Sequence, residues 1–254
     1  MKQLLSMVAM TALMVTSVHA DFLRVEGAVG AWQTAPTGSI SYENNNAFDL
    51  VDQSGFDAST NMYAWVYLKH PIPVVPNVRI EYAEPKFTGD LKQQIEWDGQ
   101  VYATGHNELS LRQYDAVLYY NILDNTLWST IDLGLDVKYI DGNYQLVESS
   151  GTLDKIDQDF SIVMPMAYVR ARVQIPVTNI GVEAIVRGIA YSDNAVVDAE
   201  IKLDYTMDFV PIVQPGLELG YRYQQVKLDS SSIGLDANLD TTFSGVYGGI
   251  MVRF

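Results

Sequence analysis

Val197-Asp198-Ala199-Glu200-Ile201-Lys202-Leu203-Asp204-Tyr205-Thr206-Met207 alternates without a break, every second residue apolar and every intervening one polar or charged. A period of two puts the two sets on opposite faces of a β-strand, one against hydrocarbon or a core, the other against water or ion pairs. The same alternation recurs in Leu23-Arg24-Val25-Glu26, in Val78-Arg79-Ile80-Glu81-Tyr82 and in Ile131-Asp132-Leu133-Gly134-Leu135-Asp136-Val137-Lys138-Tyr139. From Asp21 onward no helical period is sustained. Working outward from these segments, about ten strands are expected, near 22–33, 59–70, 77–85, 108–122, 129–140, 160–175, 181–192, 195–208, 215–228 and 241–254, with eight or twelve as alternatives.

Composition narrows the classes. With 254 residues, 48% of them apolar and 19% charged, the chain has material for a large core, and neither a repeat nor a linker divides it. The absence of cysteine excludes a disulfide-stapled mini-protein, a Cys-based zinc site and a thiol catalyst. Sixteen basic against 31 acidic residues is the wrong sign for gripping nucleic-acid phosphates, so no nucleic-acid partner is expected. After Met1-Lys2, the apolar run from Leu4 to Val18, ending Val18-His19-Ala20, reads as a secretory signal over residues 1–20, cleaved after Ala20 and leaving one domain over 21–254. It is too short and polar-flecked for a membrane helix, and no other window approaches the roughly 18 continuous apolar residues one needs. Any membrane association must come from strands.

The connections fall into two alternating kinds. Pro71–Pro76, Asp124-Asn125-Thr126, Pro176-Val177-Thr178-Asn179 and Pro211–Pro215 are short and mostly Pro-rich, as turns between antiparallel strands can be. The others, near 34–58, 86–107, 141–159 and 229–240, are long, polar and acidic, with one tight exception at Ser192-Asp193-Asn194. Parity then assigns faces. One face carries Val29, Val66, Ile80, Leu118, Leu133, Leu135, Val137, Val169, Val186, Ile201, Leu203, Leu219 and Ile250 and no charge at all. The other carries Arg24, Glu26, Arg79, Glu81, Asp115, Asp132, Asp136, Lys138, Arg170, Arg172, Glu183, Arg187, Asp198, Glu200, Lys202, Asp204, Glu218, Arg222 and Arg253, ten acids against nine bases. Arg170 and Arg172, facing Glu200, Lys202 and Asp204, read as a structural ion-pair network.

A soluble sandwich or closed barrel buries its apolar face; a membrane barrel inverts it. Three features favour inversion. Tyr114 and Tyr120 bracket Ala116 and Leu118 at roughly 20 Å, about the separation of two interfacial aromatic girdles. Gly27, Ala31, Ala167, Gly188 and Gly248 on the apolar face would leave holes in a core but sit harmlessly against lipid. The chain closes on Val246-Tyr247-Gly248-Gly249-Ile250-Met251-Val252-Arg253-Phe254, an alternating strand ending on an aromatic residue.

In that strand Gly249, Val252 and Phe254 resemble the C-terminal signal read by barrel-assembly machinery, although Gly248 stands where a polar residue is usual. With the leading signal, the loop asymmetry and the absence of cysteine, the whole mature chain resembles a small outer-membrane β-barrel protein of Gram-negative bacteria. Gly27-Ala28-Val29-Gly30-Ala31-Trp32 and Gly248-Gly249 are similar to an uncharacterised family of such proteins, a likeness that brings no activity with it. The resemblance implies an all-β fold, a single antiparallel up-and-down transmembrane barrel, in the outer membrane. Outer-membrane lipid, lipopolysaccharide and the assembly machinery would be its partners.

A near-neutral interior leaves the negative charge to the loops: Glu43, Asp49, Asp52 and Asp57; Asp141, Glu148, Asp154, Asp157 and Asp159 against Lys155; then Asp229, Asp236 and Asp240. These read as a solvated rim, a cation-attracting vestibule, or carboxylates bridged by divalent cations to lipopolysaccharide. Asp236-Ala237-Asn238-Leu239-Asp240 begins like a calcium loop but lacks the Gly and distal Glu of the EF-hand pattern. No cofactor and no enzyme activity are expected. The expected role is structural, or narrow solute passage through a largely filled lumen. Its alternatives are an outer-membrane hydrolase using His106, near Asp98, Glu108 and Ser110, and an adhesin acting through loops 34–58 and 86–107 with Trp97 and Tyr102 as anchors. A soluble periplasmic barrel or sandwich binding an apolar ligand is the remaining one.

Overall fold

A computed structural model describes residues 23–42, 46–126, 128–192, 194–207, 213–229 and 237–254; the expected signal over 1–20 lies outside the described residues, as do Glu43 and Asp236. The strands are β1 (Arg24–Tyr42), β2 (Phe48–Asp49), β3 (Ser59–Lys69), β4 (Asn77–Ala83), β5 (Lys86–Asp90), β6 (Ile95–Trp97) and β7 (Gln100–Tyr102). They continue with β8 (Gly105–Thr126), β9 (Ser129–Glu148), β10 (Ile156–Gln174), β11 (Ile180–Tyr191), β12 (Asn194–Thr206), β13 (Gln214–Leu228) and β14 (Ala237–Arg253). Ten of these, β1, β3, β4 and β8 to β14, pair antiparallel in chain order, and β14 returns to β1 to close an up-and-down barrel. Closure leaves the ten-strand ring itself without a free edge. β2 and β5 extend the wall beside β1 and β8, and β6 and β7 form a separate hairpin.

Polarity is inverted through the middle of the wall. Val29, Val66, Ile80, Leu118, Leu133, Leu135, Val137, Val169, Val186, Ile201, Leu203, Leu219 and Ile250 all stand exposed on its outer face. Between them, at alternate positions, Arg79, Glu81, Asp132, Asp136, Lys138, Arg170, Arg187 and Asp198 are buried inside. An uninterrupted aliphatic belt facing water would forgo roughly 25 cal/mol for each Å² left exposed, so this wall has the construction of a transmembrane barrel. Aromatic rings mark the belt's two edges. Tyr114 lies 5.2 Å from the Tyr82 ring and 6.2 Å from Tyr139 at one edge, and at the other Tyr120 donates a 2.6 Å hydrogen bond to the Val74 carbonyl in the turn between β3 and β4.

The long connections differ from expectation. Much of 34–58, 86–107, 141–159 and 229–240 is strand: β1 runs to Tyr42, β9 to Glu148, and β10 and β14 begin at Ile156 and Ala237. The cause is a second inversion. On β9 the inward residues change from Asp136 and Lys138 to Ile140, Tyr144 and Leu146, while the outward ones change from Leu135, Val137 and Tyr139 to Asp141, Asn143 and Gln145. Above the belt the wall meets water outside and packs an apolar core inside, as a soluble barrel does. The barrel therefore has two storeys. At the opposite end Asp124-Asn125-Thr126, expected as a turn, closes β8, with register shifts between Asn121 and Thr126.

Candidate functional site

The lumen of the lower storey is filled by charged side chains whose places follow from strand parity. Near the short turns, Glu26 pairs with Arg24 and with Arg253 at 2.8 Å, and Arg253 also donates to Thr206 Oγ1 at 3.0 Å. Arg172 grips Asp204 through both terminal nitrogens. One layer up, Arg170 joins Asp132 at 2.7 Å and Glu183 at 2.5 Å, and Lys202 joins Glu183 and Glu218, each at 3.1 Å. Tyr63 Oη and Trp65 Nε1 donate to the same Glu218 carboxylate at 2.7 and 3.0 Å. The Trp65 ring is within cation–π reach of two cations, with Arg79 4.6 Å and Lys202 4.1 Å from its centre.

The third layer is richest in acid. Arg187, fully enclosed, pairs with Glu81 and lies 3.2 Å from Glu200, 3.4 Å from Asp198 and 3.7 Å from Asp136. Arg222 bonds Asp198 at 2.5 Å; Lys138 bridges Asp115 at 2.7 Å and Asp198 at 3.2 Å. Neither Asp136 oxygen has a hydrogen-bond partner. Burying a charge costs several kcal/mol per ion, and pairing in a low-dielectric interior offsets that only when partners and donors are in place. Asp136 has neither oxygen bonded, while Asp115, Arg187 and Glu200 each keep hydrogen bonds but leave one buried atom, Oδ1, Nε and Oε1, without one. Glu200, expected beside Arg170 and Arg172, meets Arg187 and Arg222 instead.

These bonds span the barrel. Gln113 on β8 and Gln224 on β13 exchange amide hydrogen bonds of 3.0 and 2.9 Å, and those strands stand diametrically opposite in the ten-strand ring. Arg187 on β11 reaches Glu81 on β4, nearly as far round. At hydrogen-bond length, side chains from opposite walls meet across the lumen. Above them the upper storey is packed with Phe48, Leu50, Phe56, Phe87, Leu109, Tyr144, Leu146 and Phe243. The β6–β7 hairpin caps one side, Trp97 stacking on Tyr144 at 5.2 Å and Tyr102 Oη donating to the Asp154 carbonyl at 3.1 Å.

The structure thus brings the seventeen residues Arg24, Glu26, Arg79, Glu81, Asp132, Asp136, Lys138, Arg170, Arg172, Glu183, Arg187, Asp198, Glu200, Lys202, Asp204, Glu218 and Arg222 into one interior array, joined by Asp115 and Arg253. The aromatic members Trp32, Tyr63, Trp65, Tyr67 and Tyr168 stand among these charges, although the charge pattern alone does not assign them to the interior. The parity that turns Ala64, Val66 and Leu68 outward also turns Tyr63, Trp65 and Tyr67 inward, so their signal was present. At the chain end, Val252 and Phe254 face outward, Gly249 faces inward, and the Phe254 amide bonds the Val25 carbonyl at 2.8 Å.

Outside the belt the remaining candidates disperse. His106 does not end a loop; it opens β8, and its Nδ1 lies 2.8 Å from Asp90 on the exposed outer wall. Ser110, four residues further along the same strand face, is roughly 13 Å away, so no Ser–His pair forms there. Trp97 and Tyr102 are buried in the cap, which removes them as free anchors for a partner. Asn238 and Asp240 belong to β14, Asn238 donating to Ser41 at 3.1 Å, and a calcium loop cannot form from a paired strand. Among the described residues no group of three or more carboxylates or imidazoles is placed to hold a metal ion. The loop acids serve local turns. Glu148 accepts from Ser150 Oγ at 2.7 Å and from the Thr152 amide at 3.1 Å, which holds its carboxyl below the usual range. Asp157 is held down by Lys155 at 2.7 Å and by Asn143.

No protein-family model matches the chain, and no curated protein matches it. Among solved structures it is similar to the outer-membrane protease OmpT of Escherichia coli, at 8% identity and TM-score 0.49 over 93% of this chain and 98% of that one. It is also similar to Ail, the attachment invasion locus protein of Yersinia pestis, at 8% identity and TM-score 0.36 over 91% and 99%, and to the outer-membrane protein OprG of Pseudomonas aeruginosa, at 10% identity and TM-score 0.32 over 91% and 95%. These likenesses concern architecture, and no residue role is carried over from them.

Proposed function

We propose that the chain is an integral outer-membrane β-barrel of a Gram-negative bacterium, with a closed lumen and a rigid upper storey that stands clear of the lipid as a structural platform. It reaches the membrane through a signal over residues 1–20 and is inserted by assembly machinery reading Gly249, Val252 and Phe254 on its last strand. Lipid and lipopolysaccharide surround its belt, and divalent cations bridge the rim carboxylates to lipopolysaccharide.

The observation that carries this reading is the double inversion along single strands such as β9. Between the tyrosine edges the outward positions of β9 are continuously apolar, above them they turn mostly polar, and the lower band encloses ion pairs. A soluble barrel would have no use for the lower band, and a porin would leave its axis open. Solute passage is disfavoured by the Gln113–Gln224 bridge and the apolar filling above it.

Expressed as the full precursor in a Gram-negative host, the protein is expected in the outer-membrane fraction, with a gel mobility that changes on boiling. In planar bilayers it is expected to add no stable conductance. Recovery in the soluble periplasmic fraction without a mobility change would overturn the membrane reading, and stepwise conductance would overturn the closed lumen.

A further inference from the structure

The wall is not of one height. β11 and β12 are joined by the tight turn after Tyr191, whereas β10 starts at Ile156, well above that turn. β10 pairs with β9 along 156–173 but with β11 only from Ala167 onward. Among the described residues, 156–166 therefore have no strand on their other side. Pro165 stands where that pairing stops, having no N–H to donate, and prolines within sheets are confined to such edges.

The bonds at the foot of β10 fix which backbone groups face the open side. The Gln174 N–H donates to the Trp128 carbonyl on the β9 side at 2.8 Å, and the Ile175 N–H to the Ile180 carbonyl on the β11 side at 2.9 Å. The N–H and C=O of one residue point the same way and alternate from residue to residue. With no register shift along β10, even-numbered residues serve β9 and odd-numbered ones face away from it. The N–H groups of Asp157, Asp159, Ser161 and Val163 thus point to the open side, with no partner among the described residues. The Asp159 carbonyl is met by the adjacent Gln158 Nε2 at 3.1 Å. An unpaired row of this kind is a template for another strand.

Both faces of the edge restrict what fits it. On the inner face Phe160 is half-buried, Ile162 borders the same cleft as Leu239 of β14, and Ile189 and Tyr191 stand exposed at the end of β11. On the outer face Asp157 and Asp159 are exposed beside Asn143, and the turn above adds Glu148 and Asp154 against Lys155. A second copy in the same membrane stands the same way up, so two β10 edges would run parallel and set Asp157 and Asp159 against like charges. We infer that the upper edge of β10 takes an extended segment of another polypeptide as an added β-strand. Its residues alternate between apolar side chains packed on Phe160 and Ile162 and basic side chains facing Asp157 and Asp159. The inference rests on the platform reading only in keeping this edge clear of lipid; sorting and conductance test that reading, and the β10 amides test this one.

Hydrogen exchange at single amides, read by NMR on the mature protein in detergent micelles and titrated with a synthetic heptapeptide alternating valine and lysine, is the experiment. Without peptide, Asp157, Asp159, Ser161 and Val163 are expected to exchange fast and Gln158, Phe160 and Ile162 slowly. The peptide is expected to slow the first set saturably and leave the second unchanged, and a valine–glutamate counterpart to do nothing. Of two versions N-methylated on the backbone, one at the lysines and one at the valines, one is expected to lose binding. Ser161→Pro removes an edge donor and none of the bonds to β9, and is expected to weaken binding about fivefold to tenfold. Asp157→Asn combined with Asp159→Asn is expected to remove its salt dependence. Slow exchange of the odd-numbered amides without peptide would mean an edge already covered, by a second copy if it is lost on dilution and by this chain itself if it is not. Either result would overturn the inference, as would binding by both methylated versions or the absence of saturable protection.

Discussion

Gly30 and Gly249 face each other in register across the seam where β14 closes onto β1, and the Tyr63 ring covers the space both side chains would occupy. A Cβ on Gly249 would lie 2.6 Å from the Val29 carbonyl oxygen and 2.6 Å from Tyr63 Oη; one on Gly30 would strike the Gly248 carbonyl oxygen. Backbone atoms on both sides cannot yield as a side-chain tip can. Tyr63 in turn bonds Glu218 and meets the Tyr247 ring edge-on at 5.3 Å, so the seam is tied to the ion-pair array. Gly249 thus has a packing reason of its own beside the assembly role proposed for it.

Gly249→Val is accordingly expected to destabilise the folded barrel by about 1–3 kcal/mol, the usual cost of overpacking a filled site. Gly248→Val, whose added atoms point to lipid beside Leu219, is expected to cost much less. Urea midpoints of the two refolded variants check this; equal midpoints would remove the seam argument.

Arg187 lies within ion-pair distance of Glu81, Asp115, Asp136, Asp198 and Glu200. Arg187→Met leaves those carboxylates short of countercharge, and removing one partner of a buried pair costs roughly 3–5 kcal/mol. Asp136 has no hydrogen bond to lose, so Asp136→Asn alone is expected to be close to neutral, and combined with Arg187→Met it should recover part of the loss. A double-mutant cycle on unfolding free energies reads the coupling; strict additivity would mean that Asp136 does not sense Arg187.

The strands were legible because a barrel wall imposes a period of two on every segment, and Val197–Met207 carries that period undisturbed. Which residues face the lumen followed from parity alone. Which of them touch did not. Gln113 and Gln224 are 111 residues apart and meet only because β8 and β13 come to oppose each other when ten strands close. Arg170 was expected beside Glu200, but β11 lies between their strands and inserts Glu183. The upper storey was missed for a different reason. Ile140–Glu148 still alternates, with the apolar residues now on the opposite parity, so a reading fixed on one phase stops at residue 140 and takes the rest for loop.

That phase change predicts unequal costs for one substitution at two heights. Leu135→Arg puts a charge on the outer face of the belt, where roughly 2–4 kcal/mol is expected near the bilayer midplane. Val147→Arg, on the same outer face of β9 but above the belt, is expected to cost about 0–1 kcal/mol. Folding free energies into lipid bilayers measure both, and similar penalties at the two positions would place the lipid boundary elsewhere.

Acid should loosen the turn that joins β9 to β10. Hydrogen bonds from the Ser150 hydroxyl, then the Thr152 amide, hold the Glu148 carboxyl below its ordinary range. A carboxylate lowered in the folded state contributes stability that is fully present above its unfolded value and is lost as pH falls through the folded one. The window therefore lies below the ordinary glutamate range, and nothing should change at this turn between neutral pH and that range. Amide chemical shifts of Ser150 and Thr152 followed on acidification should move together with the Glu148 carboxyl in that window, and Glu148→Gln should abolish the movement. A transition near neutral pH, or one that persists in Glu148→Gln, would assign the turn's stability to another group.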